Sequence, residues 1–122
     1  MAGRRTRWIM AAWCLANGGA WAENFQFAPA PQQDLNRIYR VDRLSGEVIA
    51  CQFAVKDDSP IGVTLCYPAG EGAKAGEAGD YGLIASSHRQ ESGIFRFNRR
   101  TGAVSICYVR EDQEVVCTPP AK

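Results

Sequence analysis

The chain has 122 residues, the size of one domain, and its 46% hydrophobic and 22% charged residues are ordinary for a globular protein. Its 12 glycines favour a turn-rich, all-β chain over a helical one. The formal net charge is +1, and the segment after residue 22 holds 11 basic and 13 acidic residues. A domain this close to neutral gives no electrostatic reason to expect nucleic acid or an anionic membrane as a partner.

Residues 1–22 have the three parts of a secretory signal peptide. Three arginines among the first seven residues form a basic start, and a short apolar run follows at 8–16. Ala20-Trp21-Ala22 is an A-x-A cleavage site, so we expect cleavage after Ala22. The apolar run of about nine residues is too short to cross a bilayer, which needs roughly 20. The sequence predicts an N-terminal signal helix and a periplasmic or secreted protein with no membrane span after cleavage.

Two details of this segment leave alternatives open. Arg4-Arg5 resembles the start of a twin-arginine signal, but Arg7-Trp8 continues that motif poorly, which favours the Sec route. A buried N-terminal helix of the folded domain is the other interpretation of the apolar run.

The first predicted strand has Phe25 and Phe27 at alternate positions, and two prolines end it. A β-hairpin follows, with strands at about 37–42 and 47–53. Its turn is explicit, because Asp42 can accept hydrogen bonds from the turn amides and Gly46 can adopt a positive φ.

This turn fixes which residues share a face of the hairpin. One face, which we expect to be the core face, carries Tyr39, Val41, Val48 and Ala50. The other face carries Ile38, Arg40, Ile49 and Cys51.

The region after the hairpin contains one more strand, at 62–68, with Cys66. Residues 69–79 are rich in Gly and Ala, with a few charges and almost nothing to bury. We expect this segment to be a mobile linker, since its four glycines disfavour a short helix.

Residues 80–122 repeat the order of the first half at an offset of 56 residues. The second hairpin spans about 93–109, and Tyr81 and Leu83 fall on Phe25 and Phe27. The identities are Ile38/Ile94, Arg40/Arg96, Arg43/Arg99, Gly46/Gly102, Val48/Val104 and Cys51/Cys107. We expect the core face of this half to carry Phe95, Phe97, Val104 and Ile106.

The duplication predicts the fold, because one unit of this size cannot bury its own apolar face and two can bury theirs together. The prediction is an all-β fold of two tandem four-stranded antiparallel meanders, packed as a small sandwich or barrel. Its parts are a signal peptide (1–22), a first β repeat (23–68), the linker (69–79) and a second β repeat (80–122), with both repeats in one domain.

Four cysteines remain after the signal peptide, which indicates two disulfides in a small exported chain, with three possible connectivities. Two of these are symmetric: Cys51–Cys66 with Cys107–Cys117, or Cys51–Cys107 with Cys66–Cys117. Neighbouring meander strands bring Cα atoms within the roughly 5.5 Å typical of a disulfide, which favours the first. A zinc site is disfavoured, because zinc-binding cysteines are typically separated by roughly two to four residues and the cysteines of this chain are further apart.

No pattern in the chain indicates catalysis. His88, the only histidine, lies in a predicted polar loop beside two serines, and a triad needs a third orienting group that the fold brings close. The carboxylate pairs at 57–58 and 111–112 lie in predicted turns, without a pattern that would hold them at glycosidase separation. The Gly-rich segment lacks the Lys-Ser/Thr of a phosphate loop. We therefore expect no enzyme, no cofactor and no metal.

Arginines on the two hairpins are the candidate binding residues. Arg40 and Arg96 are expected on the non-core face, and Arg99 and Arg100 at a turn. One interpretation is solubility and protection of sheet edges. The other is contact with an anionic ligand or a partner protein, because guanidinium groups match carboxylate and phosphate.

The hairpin pattern, aromatic-Arg-x-[Asp/Asn]-Arg-x-[Ser/Thr]-Gly-x-Val-x-x-Cys, resembles a group of small exported proteobacterial proteins of unknown function. The match covers residues 79–120 best and 23–68 more loosely, with Asn98 in place of the usual Asp. The hairpin also resembles the Asp-x-x-Thr-Gly turn of propeller blades, including quinoprotein blades. Two blades cannot close a propeller, and the tryptophans of those repeats are missing, so this resemblance implies a strand-turn-strand unit and no quinone cofactor.

Three functional hypotheses follow. The first is a non-catalytic binding or interaction module that uses Arg40, Arg96, Arg99 and Arg100. The second is a periplasmic inhibitor of a hydrolase, in the manner of small β-barrel lysozyme inhibitors, with the loop 86–92 inserted into an active site. The third is an enzyme centred on His88, which would need a carboxylate and a nucleophile beside it.

Overall fold

The computed structural model describes residues 24–122, so the predicted signal peptide, residues 1–22, lies outside the described residues. The N-terminal sheet contains β1 (Phe25–Pro29), β2 (Arg37–Asp42), β3 (Val48–Ala54) and β4 (Val63–Tyr67). The C-terminal sheet contains β5 (Tyr81–Ile84), β6 (Ile94–Asn98), β7 (Val104–Arg110) and β8 (Glu114–Cys117). Each sheet is antiparallel, with its strands in chain order. The prediction of two four-stranded antiparallel meanders is confirmed.

The two hairpin turns share hydrogen bonds at equivalent positions. Gly46 donates its N–H to the carbonyl of Asp42 at 2.8 Å, and Gly102 donates to the carbonyl of Asn98 at 2.8 Å. The side-chain oxygen of Asp42 accepts the Leu44 N–H at 2.9 Å. The side-chain oxygen of Asn98 likewise accepts the Arg100 N–H at 3.0 Å. Both glycines have φ near +77°, at 79° and 76°, which a residue with a Cβ rarely adopts. The predicted turn chemistry is present in both hairpins.

The two sheets pack face to face as a sandwich, and we call the facing surfaces the inner faces and the others the outer faces. β1 and β2 pack on β5, and β3 packs on β8. In the N-terminal sheet the inner face is the one expected from sequence, with fully buried side chains at Tyr39, Val41, Val48 and Ala50.

The C-terminal sheet buries the opposite face of its hairpin from the one we expected. Its inner face carries Leu83, Ile94, Arg96, Ser105 and Cys107. The expected set is on the outer face, where Phe95, Phe97 and Ile106 are half-buried and Val104 is exposed. The predicted core face of the second half was therefore wrong.

The reason is the way in which the two sheets are stacked. Tyr81 donates its N–H to Arg43 in the first turn, and Asp80 accepts the N–H of Arg99 in the second, so both turns lie at one end of the sandwich. The lateral order of the strands is also the same, since β1 lies over β5 and β3 over β8. When two similar sheets are stacked in the same orientation, the upper face of one contacts the lower face of the other. Contact between two like faces would require one sheet to be rotated by half a turn, which would reverse either its ends or its lateral strand order.

The Gly/Ala-rich segment 69–79 is packed, so the expectation that it has almost nothing to bury was wrong. Ala73 is fully buried in the core, and its carbonyl accepts the N–H of Val48 at 2.9 Å. Residues 68–71 run along the outer edge of β8, where Cys117 donates its N–H to Glu71 at 2.9 Å. This segment therefore covers a sheet edge that would otherwise offer unpaired backbone groups.

Each sheet holds one disulfide between its third and fourth strands, Cys51–Cys66 and Cys107–Cys117. This is the local pairing that the meander order favoured. The stacking gives the two bonds different surroundings. Cys51 and Cys66 lie on the outer face and are half-buried and exposed, respectively, whereas Cys107 and Cys117 are buried between the sheets.

The side chains of Gln26 and Tyr39 make hydrogen bonds that join the two sheets. The Gln26 amide pairs with the backbone of Leu83, donating to its carbonyl at 3.0 Å and accepting its N–H at 2.9 Å. The Tyr39 hydroxyl donates to the carbonyl of Ser92 at 2.6 Å. Burial raises the pKa of Tyr39 above its ordinary value, because the phenolate would be poorly solvated there.

Candidate functional site at the turn end

We call the end of the sandwich that holds both hairpin turns the turn end; it consists of residues 42–47, 79–81 and 98–103. An open depression of about 650 Å³ lies there. It is lined by Asn24, Phe25, Asp42, Arg43, Leu44, Gly79, Asp80 and Arg100. Residues from both turns therefore line one surface, although they are far apart in sequence.

Asp80 is the centre of the charge arrangement at the turn end. Its carboxylate lies 3.6 Å from a guanidinium nitrogen of Arg43 and 3.6 Å from one of Arg99. Its backbone accepts the Arg99 N–H at 2.8 Å and donates to the side chain of Asn98 at 3.2 Å. One carboxylate is thus shared between an arginine from each turn, and all three side chains remain partly open to solvent.

The other carboxylate of the depression is used by the turn itself. Asp42 accepts the N–H groups of Leu44 at 2.9 Å and Ser45 at 3.1 Å. Arg100 is exposed, and within residues 24–122 its guanidinium has no hydrogen bond or ion pair. Arg100 therefore has its donors available to an anionic group that enters the depression.

Two further arginines lie over aromatic rings. The Arg99 guanidinium carbon is 4.8 Å from the centre of the Phe97 ring, and that of Arg40 is 4.6 Å from the centre of the Phe25 ring. Phe25 also lines the depression, so Arg40 stands beside it on the outer face of the N-terminal sheet. Rings hold these long side chains in place and leave guanidinium edges for a ligand.

Arg96 does not belong to this surface, which corrects its expected place on the non-core face. It lies between the sheets, where its guanidinium donates to the carbonyl of Gly46 at 2.8 Å and to that of Gly72 at 3.1 Å. It also lies 5.9 Å from the centre of the Tyr81 ring. Burial lowers its pKa, since the cation is removed from water. Arg96 therefore joins the two sheets and the segment 69–79.

Arg99 and Arg100 are thus neighbours in the second turn, Arg40 lies over Phe25 on the outer face of the N-terminal sheet, and Arg96 lies between the sheets. Arg43 lines the depression and pairs with Asp80, although it was not among the predicted binding residues. The signal was present, because Arg43 occupies the same turn position as Arg99 at the offset of 56.

The opposite end of the sandwich, which we call the loop end, holds the loops 30–36 and 85–93. Gln33 donates its N–H to the carbonyl of Arg89 at 3.2 Å, which joins the two loops. His88 is exposed, and its backbone N–H donates to the Ser86 hydroxyl at 3.2 Å. In the described part of the chain no carboxylate or nucleophile is hydrogen-bonded to its imidazole.

Other features of residues 24–122 bear on cofactors and membranes. No group of three or more His, Cys, Asp or Glu side chains in this range is close enough to hold a metal ion. No helix in the same range has the length and apolar character needed to cross a bilayer.

Comparison with known proteins adds no relative to this description. No protein-family model, no curated protein and no solved structure matches the chain.

Proposed function

We propose that the protein is an exported, non-catalytic interaction module that binds a carboxylate or phosphate group at the turn end. The observation that carries this proposal is the arginine cluster, in which Asp80 is already shared by Arg43 and Arg99 and the guanidinium of Arg100 has no partner among the described residues. An entering anion would meet the exposed guanidinium of Arg100, which pairs with no carboxylate among the described residues.

The chemistry of the depression fits such a ligand. A guanidinium presents parallel N–H donors that match the two oxygens of a carboxylate or phosphate. Phe25 and Leu44 add exposed apolar surface beside these donors, which suits a ligand with both charged and apolar parts. A peptide segment with acidic side chains has this composition.

Two disulfides in a small domain support export, since such bonds persist in oxidising compartments. In our proposal the segment 1–22 is the signal that directs the chain to the periplasm or outside the cell. We also propose that the two halves arose by duplication. The matching turns, with Gly46 and Gly102 at equivalent positions, support this origin.

A titration followed by NMR tests the binding proposal. The ¹H–¹⁵N signals of the arginine side chains are recorded while inorganic phosphate, or a short glutamate-rich peptide, is added at constant ionic strength. We expect the signals of Arg99 and Arg100 to shift with either probe. Replacing Arg100 by Ala should raise the dissociation constant roughly tenfold, the loss expected for one charge-assisted contact.

The matched control is Arg89→Ala, since Arg89 is also an exposed arginine but lies at the loop end. Constant ionic strength is needed because salt screens exposed charges. Equal affinities for the wild type and Arg100→Ala, or an equal loss for Arg89→Ala, would contradict a specific site at the turn end.

A second function is favoured by the loop 86–92. It is held by the hydrogen bond from Tyr39 to Ser92 and by that from Gln33 to Arg89, while His88, Arg89 and Gln90 stay exposed. A tethered, projecting loop is the part that an inhibitor inserts into a hydrolase. Inhibition of lysozyme-type hydrolases by the wild type, and its loss in His88→Ala/Arg89→Ala, would favour this function over the first.

A further inference from the structure

Residues on the outer face of each sheet are equivalent, at the offset of 56 residues, to residues on the inner face of the other sheet. The outer face of the N-terminal sheet carries the positions that the C-terminal sheet buries, such as Phe27, which is equivalent to Leu83. The outer face of the C-terminal sheet carries the positions that the N-terminal sheet buries, such as Val104, which is equivalent to Val48. The two outer faces are therefore equivalent to the two inner faces that already contact each other.

Both outer faces expose apolar side chains, with Phe27 58% and Val104 41% exposed. The others on these faces are Phe25, Ile38 and Phe53 in the N-terminal sheet, and Ile84 and Tyr108 in the C-terminal sheet. Clusters of exposed apolar residues on a sheet face mark an interaction surface.

One contact between the sheets shows how an outer face could be used. The Tyr81 ring packs on Gly46 so closely that a Cβ there would come within 2.8 Å of it. Arg96 lies 5.9 Å from the centre of this ring and donates to the carbonyl of Gly46 at 2.8 Å. An aromatic ring and an arginine of one sheet thus dock together on the turn glycine of the other.

The same pair exists, exposed, at the offset of 56. Arg40 lies 4.6 Å from the centre of the Phe25 ring, on the outer face of the N-terminal sheet. The matching turn glycine is Gly102, and no atom lies within 4 Å of the position that its Cβ would occupy. Both parts of a second docking contact are therefore present in the molecule, but they lie on opposite outer faces and do not touch.

We propose that two molecules associate head to tail, with the outer face of one N-terminal sheet on the outer face of the other molecule's C-terminal sheet. Phe25 of the second molecule packs on Gly102 of the first, and its Arg40 donates to the Gly102 carbonyl. This interface repeats between molecules the packing that the two sheets have within one molecule.

The charges on the two faces permit this contact. On the outer face of the C-terminal sheet the charged strand residues are Arg110 and Glu114, which form an ion pair with each other. On the facing surface Asp42 is bonded to its own turn, so Arg40 is the cation that the contact must accommodate. A backbone carbonyl can accept a hydrogen bond from this cation without burying a second charge, as the carbonyl of Gly46 does for Arg96.

The contact between molecules lacks one feature of the internal contact. Gln26 clamps the backbone of Leu83, but Gly82 occupies the position equivalent to Gln26. Without this clamp and without a covalent connection, association depends on concentration. Since the two surfaces differ, the interface is heterologous, and it forms a ring if the rotation between neighbours closes and an open chain if it does not.

Sedimentation of the oxidised protein tests the proposal, over concentrations from about 1 μM to about 1 mM, which cover weak and moderate affinities. We expect the weight-average mass of the wild type to rise well above that of the monomer. Phe27→Glu and Val104→Glu should each be monomeric, because each places a charge in the interface. The matched control Ile61→Glu, at a 75% exposed loop position, should behave as the wild type. Tyr108→Glu replaces Val104→Glu if that variant does not form its disulfides.

A mixture of the two monomeric variants gives the sharpest result. Phe27→Glu keeps a native C-terminal face and Val104→Glu keeps a native N-terminal face, so the mixture should form a 1:1 complex. Arg40→Ala should raise the dissociation constant of the wild-type assembly on the order of tenfold. A wild type that is monomeric at every concentration overturns the proposal. So does a mixture that stays monomeric, or an assembly that only one of the two face variants disrupts, because that pattern belongs to pairing of like faces.

Discussion

The two sheets have the same strand order and the same hairpin turn, yet they bury opposite faces. Ile38 and Ile94 occupy equivalent positions, but Ile38 is 44% exposed on an outer face and Ile94 is fully buried between the sheets. Arg40 and Arg96 differ in the same way, since Arg40 lies over a surface ring and Arg96 bonds to carbonyls inside the sandwich. Local sequence therefore specifies the hairpin, while the stacking of the sheets decides what each position does.

Because the sheets bury opposite faces, equivalent residues have two different roles in one molecule. Residues of the C-terminal hairpin that face inward hold the sandwich together, whereas their N-terminal equivalents are exposed or half-buried on the outer face. Comparing variants at equivalent positions isolates the effect of stacking, because the local turn and strand context is nearly the same.

The disulfides should show the largest effect. Removing the exposed Cys51–Cys66 bond by double Ala substitution should lower the free energy of unfolding by about 3 kcal/mol, from loop closure. Removing the buried Cys107–Cys117 bond should lower it by about 4–5 kcal/mol, because lost core packing adds to the loss of closure. Urea denaturation measures both. Loop closure alone predicts the reverse order, since the sequence separations are 15 and 10. A larger loss for the Cys51–Cys66 variant would therefore contradict the stacking.

The equivalent arginines should differ next. Arg96→Ala should lower the free energy of unfolding by about 2 kcal/mol, because the carbonyls of Gly46 and Gly72 lose a charged donor. Arg40→Ala should change it by less than about 0.5 kcal/mol, as expected for a surface residue. Denaturant titrations at a concentration where the protein is monomeric give both values. Similar losses at the two positions would place both side chains in equivalent surroundings.

The residues that begin the turns should differ by less. Asp42 accepts two N–H groups of its own turn, whereas Asn98 accepts one from its turn and one from Asp80. Asp42→Ala should reduce stability by about 1 kcal/mol, and Asn98→Ala by about 1–2 kcal/mol, because Asn98 is buried and also accepts the N–H of Asp80, which precedes β5. Thermal unfolding with calorimetry is the measurement. Identical losses would mean that the bond from Asp80 adds nothing.

The smallest effect should come from the tyrosine that joins the sheets. Tyr39→Phe removes the hydrogen bond to Ser92 and should reduce stability at neutral pH by about 1 kcal/mol. The pKa of Tyr39 is raised in the folded protein, so the neutral phenol is the favoured form there. Its contribution is therefore complete below pH of about 10, where the unfolded tyrosine ionises, and is lost as pH rises through the folded pKa. Unfolding at pH 8 and pH 11 should show a smaller pH-dependent loss in Tyr39→Phe than in the wild type. An equal loss would contradict the burial of this hydroxyl.

Much of the fold could be predicted from local chemistry. Asp42 and Asn98 with their turn glycines specify both hairpins, and the alternation around Tyr39 and Val41 identifies one buried face. The face of the second hairpin could not be predicted from its own residues, because Phe95 and its neighbours form the more apolar face. That choice depends on how two separate sheets stack, which leaves no local pattern in the sequence.

The candidate site was predictable to a similar degree. Arg99 and Arg100 were identified because they belong to a recognisable turn, and the burial of Arg96 was missed because its carbonyl partners lie 50 and 24 residues away. Asp80, which joins the arginines of both turns, looks like any loop carboxylate until the turns are brought together. Pairwise contacts between distant loops are the part that a single sequence does not reveal.

The most direct test of the opposite-face stacking is the free energy of unfolding of Ile38→Ala and Ile94→Ala, measured side by side at monomeric concentrations. The stacking predicts a loss of about 3 kcal/mol for Ile94→Ala, from a cavity in the core, and less than about 1 kcal/mol for Ile38→Ala. Equal losses, or a larger loss for Ile38→Ala, would contradict it.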